Sequence, residues 1–151
     1  MRAEPRLRLA RSEDLPAIMA MLADDILGRE REGGADAAVA DAFDEIARDP
    51  KSAIWVVELD GSVVGCAQLT CLPGLARRAM RRGLVESVRI ASDRRGLGLG
   101  HWFMRALIEK AREAGCGVVQ LTSDKRRTDA HRFYDRLGFV RSHEGFKLML
   151  E

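Results

Sequence analysis

Arg95-Gly96-Leu97-Gly98-Leu99-Gly100-His101, preceded by Val88-Arg89-Ile90, is the stretch whose reading decides the fold. Downstream, Leu99, Trp102, Phe103, Ala106, Leu107 and Ala111 recur at helical spacing, and upstream a strand is expected near 84–90. The glycines therefore lie on a strand-to-helix turn. Such a turn points backbone N–H groups outward at the positive end of a helix dipole, which makes it an anion cradle. Glycine suits it because a side chain would keep a phosphate from the amides, and because some positions in the nest demand positive φ. A dinucleotide fingerprint would need a glycine where His101 stands and would follow the first strand of the chain, whereas this turn comes late. A P-loop would need Gly-Lys-Ser/Thr, which is absent. The bland alternative is a merely flexible turn.

Working outward, a strand at 7–9 leads to a helix, capped by Ser12 or Asp14, with Leu15, Ile18, Met19, Leu22 and Ile26 on one stripe. A second helix follows Gly33 and Gly34, carries Ala38, Val39, Ala42, Phe43 and Ile46, and stops at Asp49 and Pro50. Runs at 54–59 and 62–69 are antiparallel strands joined by Asp60-Gly61, a pair suited to a type I′ hairpin. A loop at 71–82 leads to the strand ending at Ile90. After the helix that Gly115 closes, a strand at 118–122 lies parallel to that strand by a crossover. Thr128 or Asp129 starts a last helix with Ala130, Phe133, Tyr134 and Leu137 inward and Gly138 at its end. Strands at 139–142 and 146–150, hinged at Glu144-Gly145, finish the chain. The expectation is an α/β protein of order βααβββαβαββ, a mixed sheet with helices on its faces, in a single domain over 1–151.

The 151 residues are 46% hydrophobic and 32% charged, the composition of a soluble globular chain. A domain of this length buries roughly two thirds of its unfolded surface, enough for one core. Twenty-five basic residues against 23 acidic ones leave +2, too balanced for nucleic acid to be the main partner. No long apolar run marks a membrane span and the start has no apolar leader, so a cytoplasmic protein is expected. Cys66, Cys71 and Cys116 include no CxxC pair and encode neither a disulfide frame nor a zinc site. They read as small core or near-surface residues, and no metal is expected.

Arg95-x-x-Gly98-x-Gly100, after Val88-Arg89-Ile90, resembles the pyrophosphate-binding signature of the GCN5-related N-acetyltransferase (GNAT) superfamily. Phe133-Tyr134-Asp135-Arg136-Leu137-Gly138-Phe139 is similar to that superfamily's FYxxxGF segment, and the element order matches over nearly the whole chain. The stretch Asp129-Ala130-His131-Arg132-Phe133-Tyr134 also looks like that of aminoalkylphosphonate acetyltransferases, a looser likeness. Two departures stand out: Ser92 replaces a frequent proline, and Ser123-Asp124 replace a frequent asparagine.

The resemblance implies acetyl transfer from acetyl-CoA to a primary amine by direct attack. It implies coenzyme contacts at Val88, Arg89 and Ile90, at Arg95, Gly96, Leu97, Gly98, Leu99, Gly100 and His101, and at Asp124 and His131. N–H groups near Val88 and Ile90 would hold the thioester oxygen, and Tyr134 would return a proton to the departing thiolate. Strict alternation puts Glu86 on the same face as Val88 and Ile90. There it reads as the general base, or as a carboxylate paired with an arginine or re-aimed by a bulge. Arg77, Arg78, Arg81 and Arg82 read as a solvated face or as forks for an anionic acceptor, and Lys125, Arg126 and Arg127 as partners of the coenzyme 3′-phosphate. Protein lysine or N-terminal acetylation, and a non-catalytic acetyl-CoA sensor, are the alternatives. A homodimer is the expectation by analogy.

Overall fold

Positive φ at both Asp60 (52°) and Gly61 (76°) closes the hairpin on which the sheet is built. In the computed structural model, which describes residues 3–24 and 32–151, strand β2 (Ser52–Leu59) leads through this turn into β3 (Ser62–Leu72). Strand β1 (Arg6–Leu9) pairs antiparallel with β2, and β4 (Arg82–Ile90) pairs antiparallel with β3. Strand β5 (Val118–Gln120) pairs parallel with β4, which gives the order β1-β2-β3-β4-β5. The described residues fall into two compact units, one ending at Gln120 and the other running over Leu121–Glu151.

In the first unit, helices α1 (Leu15–Leu22) and α2 (Ala37–Arg48) cover one face of the sheet. The Asp36 carboxylate accepts from Val39 N at 3.0 Å and caps α2. Ile18 and Met21 of α1 pack on Val56 and Cys66, all nearly inaccessible. On the other face lies α3 (Leu99–Glu113), which buries Phe103, Met104, Leu107 and Ala111 completely. Each large side chain so buried stabilises the fold by roughly 1.5–3 kcal/mol. Asp14 is the one buried charged residue among those described. It accepts twice from the Arg8 guanidinium, at 2.7 and 3.0 Å, and Arg8 also donates to Glu58 at 2.7 Å. That guanidinium holds the Asp14 carboxyl below the usual carboxylate range, against the effect of burial.

The second unit holds α4 (Thr128–Leu137), ended by Gly138 at φ 99°. The strands expected at 139–142 and 146–150 are not formed. A strand needs a ladder partner for its N–H and C=O groups; here Ser142 N turns back to Val140 O at 2.9 Å, and Phe146, Leu148 and Leu150 are exposed. Among the described residues the order is thus βααβββαβα, setting aside the short helical turn at Ala76–Ala79.

Smaller differences have local causes. β3 runs on to Leu72 because Cys71 N reaches Lys51 O at 2.8 Å, so the expected loop at 71–82 is shorter. It contains a helical turn, Ala76–Ala79, in which Arg77, Arg78 and Ala79 all have left-handed φ. β5 stops at Gln120, short of the expected Thr122. Ile26 lies outside the described residues.

Candidate functional site

Two interruptions of regular structure, one in β4 and one just after it, make the site in the first unit. Between Glu86, opposite Gln68, and Arg89, opposite Cys66, β4 carries one residue more than β3. Ser87, at φ 57°, absorbs the extra length, so this is a β-bulge. A bulge reverses the pleat. Cys66 and Gln68 share one face, hence Glu86 and Arg89 do too, and it is the face that α1 and α2 cover. Ile90 points to the opposite face, its Cδ1 lying 3.0 Å from the place a Cβ on Gly65 would take. The expectation that Glu86 shares a face with Val88 and Ile90 is therefore corrected. Strict alternation fails because the strand has an inserted residue.

The bulge also sets the direction of the N–H groups. Ala91 N donates to Val64 O at 2.8 Å, toward β3. By alternation the N–H of Arg89 points the same way, and those of Val88 and Ile90 point to the opposite edge. On that edge pairing with β5 ends at Leu84 opposite Gln120. Arg95 Nε donates to Ile90 O at 3.2 Å on the same edge, and the Arg95 guanidinium stands 3.9 Å from the Asp24 carboxylate.

Next comes a 3₁₀ turn, Ser92–Arg94, and the glycine turn. Gly96 and Gly98 both sit at φ 80°, and a Cβ on either would meet nothing within 4 Å. Their requirement is conformational, and the space around them is open. Gly98 caps α3, whose first internal bond runs from Trp102 N to Gly98 O. The amides of Leu99 and Gly100 precede that bond and project at the positive end of the helix. Residues 95–98 are exposed and Leu99 is buried as the anchor of the turn. A diphosphate fits such a surface: open, cationic at Arg94 and Arg95, and lined by amides.

Between α1, α2 and the sheet lies a groove of about 150 Å³, lined chiefly by apolar side chains such as Met19 and Phe43, with Gln68 and Ser87 as its polar members. Sequence reasoning missed Gln68 and Ser87. Nothing in the sequence marks a serine that adopts positive φ. Cys66 is no nucleophile: burial pushes its thiol up to about 12, with the Arg89 charge acting the other way, and its Sγ lies 3.8 Å from Ser87 O.

In the second unit, Tyr134 lies half-buried on α4, its ring edge-on to Phe133 at 5.2 Å and to Phe139 at 5.7 Å. The Asp124 carboxylate accepts from the Arg126 side chain and backbone, which hold it well below its ordinary range. His131 Nε2 lies 2.8 Å from Asp124 O, and because a carbonyl only accepts, that nitrogen carries the proton. Asp124 and His131 are thus brought together. Glu86 belongs to the first unit and Tyr134 to the second. Arg77 and Arg78 are exposed on the helical turn, and Arg82 on the first residue of β4. No described helix is long and apolar enough to cross a membrane.

Comparison with known proteins identifies relatives over most of the chain. The sequence profile of the acetyltransferase (GNAT) family matches residues 18–139. Aminoalkylphosphonate N-acetyltransferase of Salmonella typhimurium is 30% identical over 140 residues, 93% of this chain and 88% of that one. A solved transcriptional regulator from Bacillus halodurans C-125 superposes with a TM-score of 0.94 at 40% identity, covering 97% of this chain and 100% of that one. A candidate acetyltransferase from Agrobacterium tumefaciens follows with 0.84 at 31% identity, over 96% and 99%.

Proposed function

The chain belongs to the acetyltransferase (GNAT) family, and from that premise we propose that it carries an acetyl group from acetyl-CoA to the primary amine of a small molecule, its two units acting as one N-acetyltransferase domain over 1–151. It is an acyltransferase with acetyl-CoA as donor. The observation that carries the reading is the open glycine turn at the start of α3, which follows a strand whose Val88 and Ile90 N–H groups point away from β3.

The turn, from Arg95 to His101, takes the diphosphate, and by family analogy Asp124 and His131 are assigned to coenzyme binding. Glu86, on the groove face of β4, removes a proton from the incoming ammonium. The neutral nitrogen attacks the thioester carbon, the C–N bond forms and the carbonyl electrons move to oxygen. The N–H groups of Val88 and Ile90 hold that oxyanion; loss of one such donor typically costs about a hundredfold or more in rate. Collapse breaks the C–S bond, Tyr134 gives its proton to sulfur, and the proton the nitrogen sheds restores the phenol.

Arg77, Arg78, Arg81 and Arg82 support an acceptor that carries a phosphonate, phosphate or carboxylate, and the relative named for aminoalkylphosphonates points the same way. The Bacillus relative described as a regulator favours, as a second reading, a sensor that binds acetyl-CoA without turnover. By family analogy we assign the chain to the cytoplasm as a homodimer.

Acetyl-CoA thiol release across a panel of amines tests both readings. Acceptor-dependent release, with an aminoalkylphosphonate ahead of a lysine peptide, is the expected result. Coenzyme binding without release by any amine would establish the sensor. In the same assay Tyr134→Phe should lower kcat at least about tenfold with coenzyme affinity kept, and Glu86→Gln should move the acidic limb of the pH profile. An unmoved limb removes Glu86 from the base role.

A further inference from the structure

Two thiols that the acyl-transfer chemistry does not use meet on the α3 face of the sheet. Cys71 on β3 stands directly opposite Gly83 on β4. Cys116, from the turn that leaves α3, places its Sγ 3.5 Å from where a Cβ on Gly83 would sit. Because residue 83 has no side chain, none comes between Cys71 and Cys116 at that position, and the Cys71 thiol is close enough to raise the Cys116 thiol. The backbone holds them there. Cys116 N donates to Ala111 O at 3.0 Å, and Gly117 N to Arg81 O at 2.9 Å. Cys66 is on the opposite face with Val56 and Ile18, outside this pair.

We propose that Cys71 and Cys116 form a modification site, closed to an intramolecular disulfide by a peroxide acting as a two-electron oxidant. Cys116 is half-exposed and Cys71 buried, so the peroxide meets Cys116 first. Its thiolate sulfur attacks one peroxide oxygen, the O–O bond breaks, and a sulfenic acid and one water result once the hydroxide has taken the thiol's proton. Cys71 Sγ then attacks the sulfenic sulfur, the S–O bond breaks, and hydroxide leaves with the Cys71 proton as a second water. Two thiols and one hydrogen peroxide become one disulfide and two waters. Burial and the Cys71 neighbour push the Cys116 thiol up to about 11, with the Arg81 charge acting the other way. The thiolate is therefore scarce at neutral pH, and the reaction is slow. The bridge would clip β3 to the approach of β5 across the end of β4.

The test is prolonged exposure of the folded chain to hydrogen peroxide, followed by denaturation, alkylation and peptide mass spectrometry. Of the three thiols, two should be lost and Cys66 retained. The whole chain should lose about 2 Da, with a peptide joining residues 71 and 116 that dithiothreitol reverses. In Cys71→Ser, Cys116 should gain oxygen without a cross-link. Three alkylatable thiols after treatment would overturn the proposal, as would a sulfinate on Cys116 beside an untouched Cys71, or bridges that join two chains.

Discussion

The central strand and the carboxyl-terminal segment carry the same sequence signal with opposite outcomes. Leu84 to Ile90 and Phe146 to Leu150 both alternate or run apolar as strands do, yet the first pairs on β3 with an inserted residue and the second forms no ladder. Pattern proposes a strand; hydrogen-bonded neighbours decide whether one exists and in which register. The two units differ similarly in their ion pairs. Arg8–Asp14 and Arg141–Asp135 are both short, at 2.7 and 2.6 Å, but Asp14 is 8% exposed whereas Arg141 and Asp135 stand in solvent.

The strongest way to test the contrast is to put valine on a glycine in each region. Gly98→Val forces a β-branched residue to φ 80° and disturbs the amides at the head of α3. Acetyl-CoA binding by calorimetry should weaken about a hundredfold, near 2.7 kcal/mol. Gly145→Val, at a position with nothing within 4 Å, should leave that affinity unchanged. Equal, small effects would move the diphosphate away from the turn.

A smaller effect separates the ion pairs. Asp14→Asn leaves the Arg8 guanidinium with one carboxylate partner in a buried setting and should cost about 2 kcal/mol in chemical denaturation. Asp135→Asn should barely change the melting temperature. The sign with pH follows from the lowered Asp14 pKa. Its stabilisation is present above the unfolded carboxyl value of about 3.9 and is lost as pH falls through the lower folded value, so wild type and Asp14→Asn should converge in acid. A gap that persists undiminished as the pH is lowered below the unfolded carboxyl range would reject the assignment.

The hairpin at Asp60-Gly61, the amphipathic helices and the glycine turn were legible because each rests on local chemistry: a turn pair, a 3.6-residue stripe, a glycine requirement. The parallel pairing of β5 was legible from its crossover. The two final strands were misread because their partners cannot be read from their own residues. At the site, the glycine turn at the head of α3 was legible and the face of Glu86 was not. Ser87 has an ordinary strand residue on either side, and its positive φ follows from the register of β3 against β4, a long-range fact.

That same serine offers the finest test of the contrast. A non-glycine residue in the left-handed region costs roughly 1–2 kcal/mol, whereas glycine in a regular strand costs roughly 0.5–1 kcal/mol in chain entropy. At Ser87 the first term outweighs the second, so Ser87→Gly should stabilise the first unit by about 0.5 kcal/mol. At Ser62, the first residue of β3, where φ is not positive, the same exchange should destabilise by a similar amount. Paired denaturation curves read the difference in sign. If both changes destabilised, residue 87 would be extended, the bulge would vanish, and Glu86 would return to the face of Val88 and Ile90, where alternation alone had placed it.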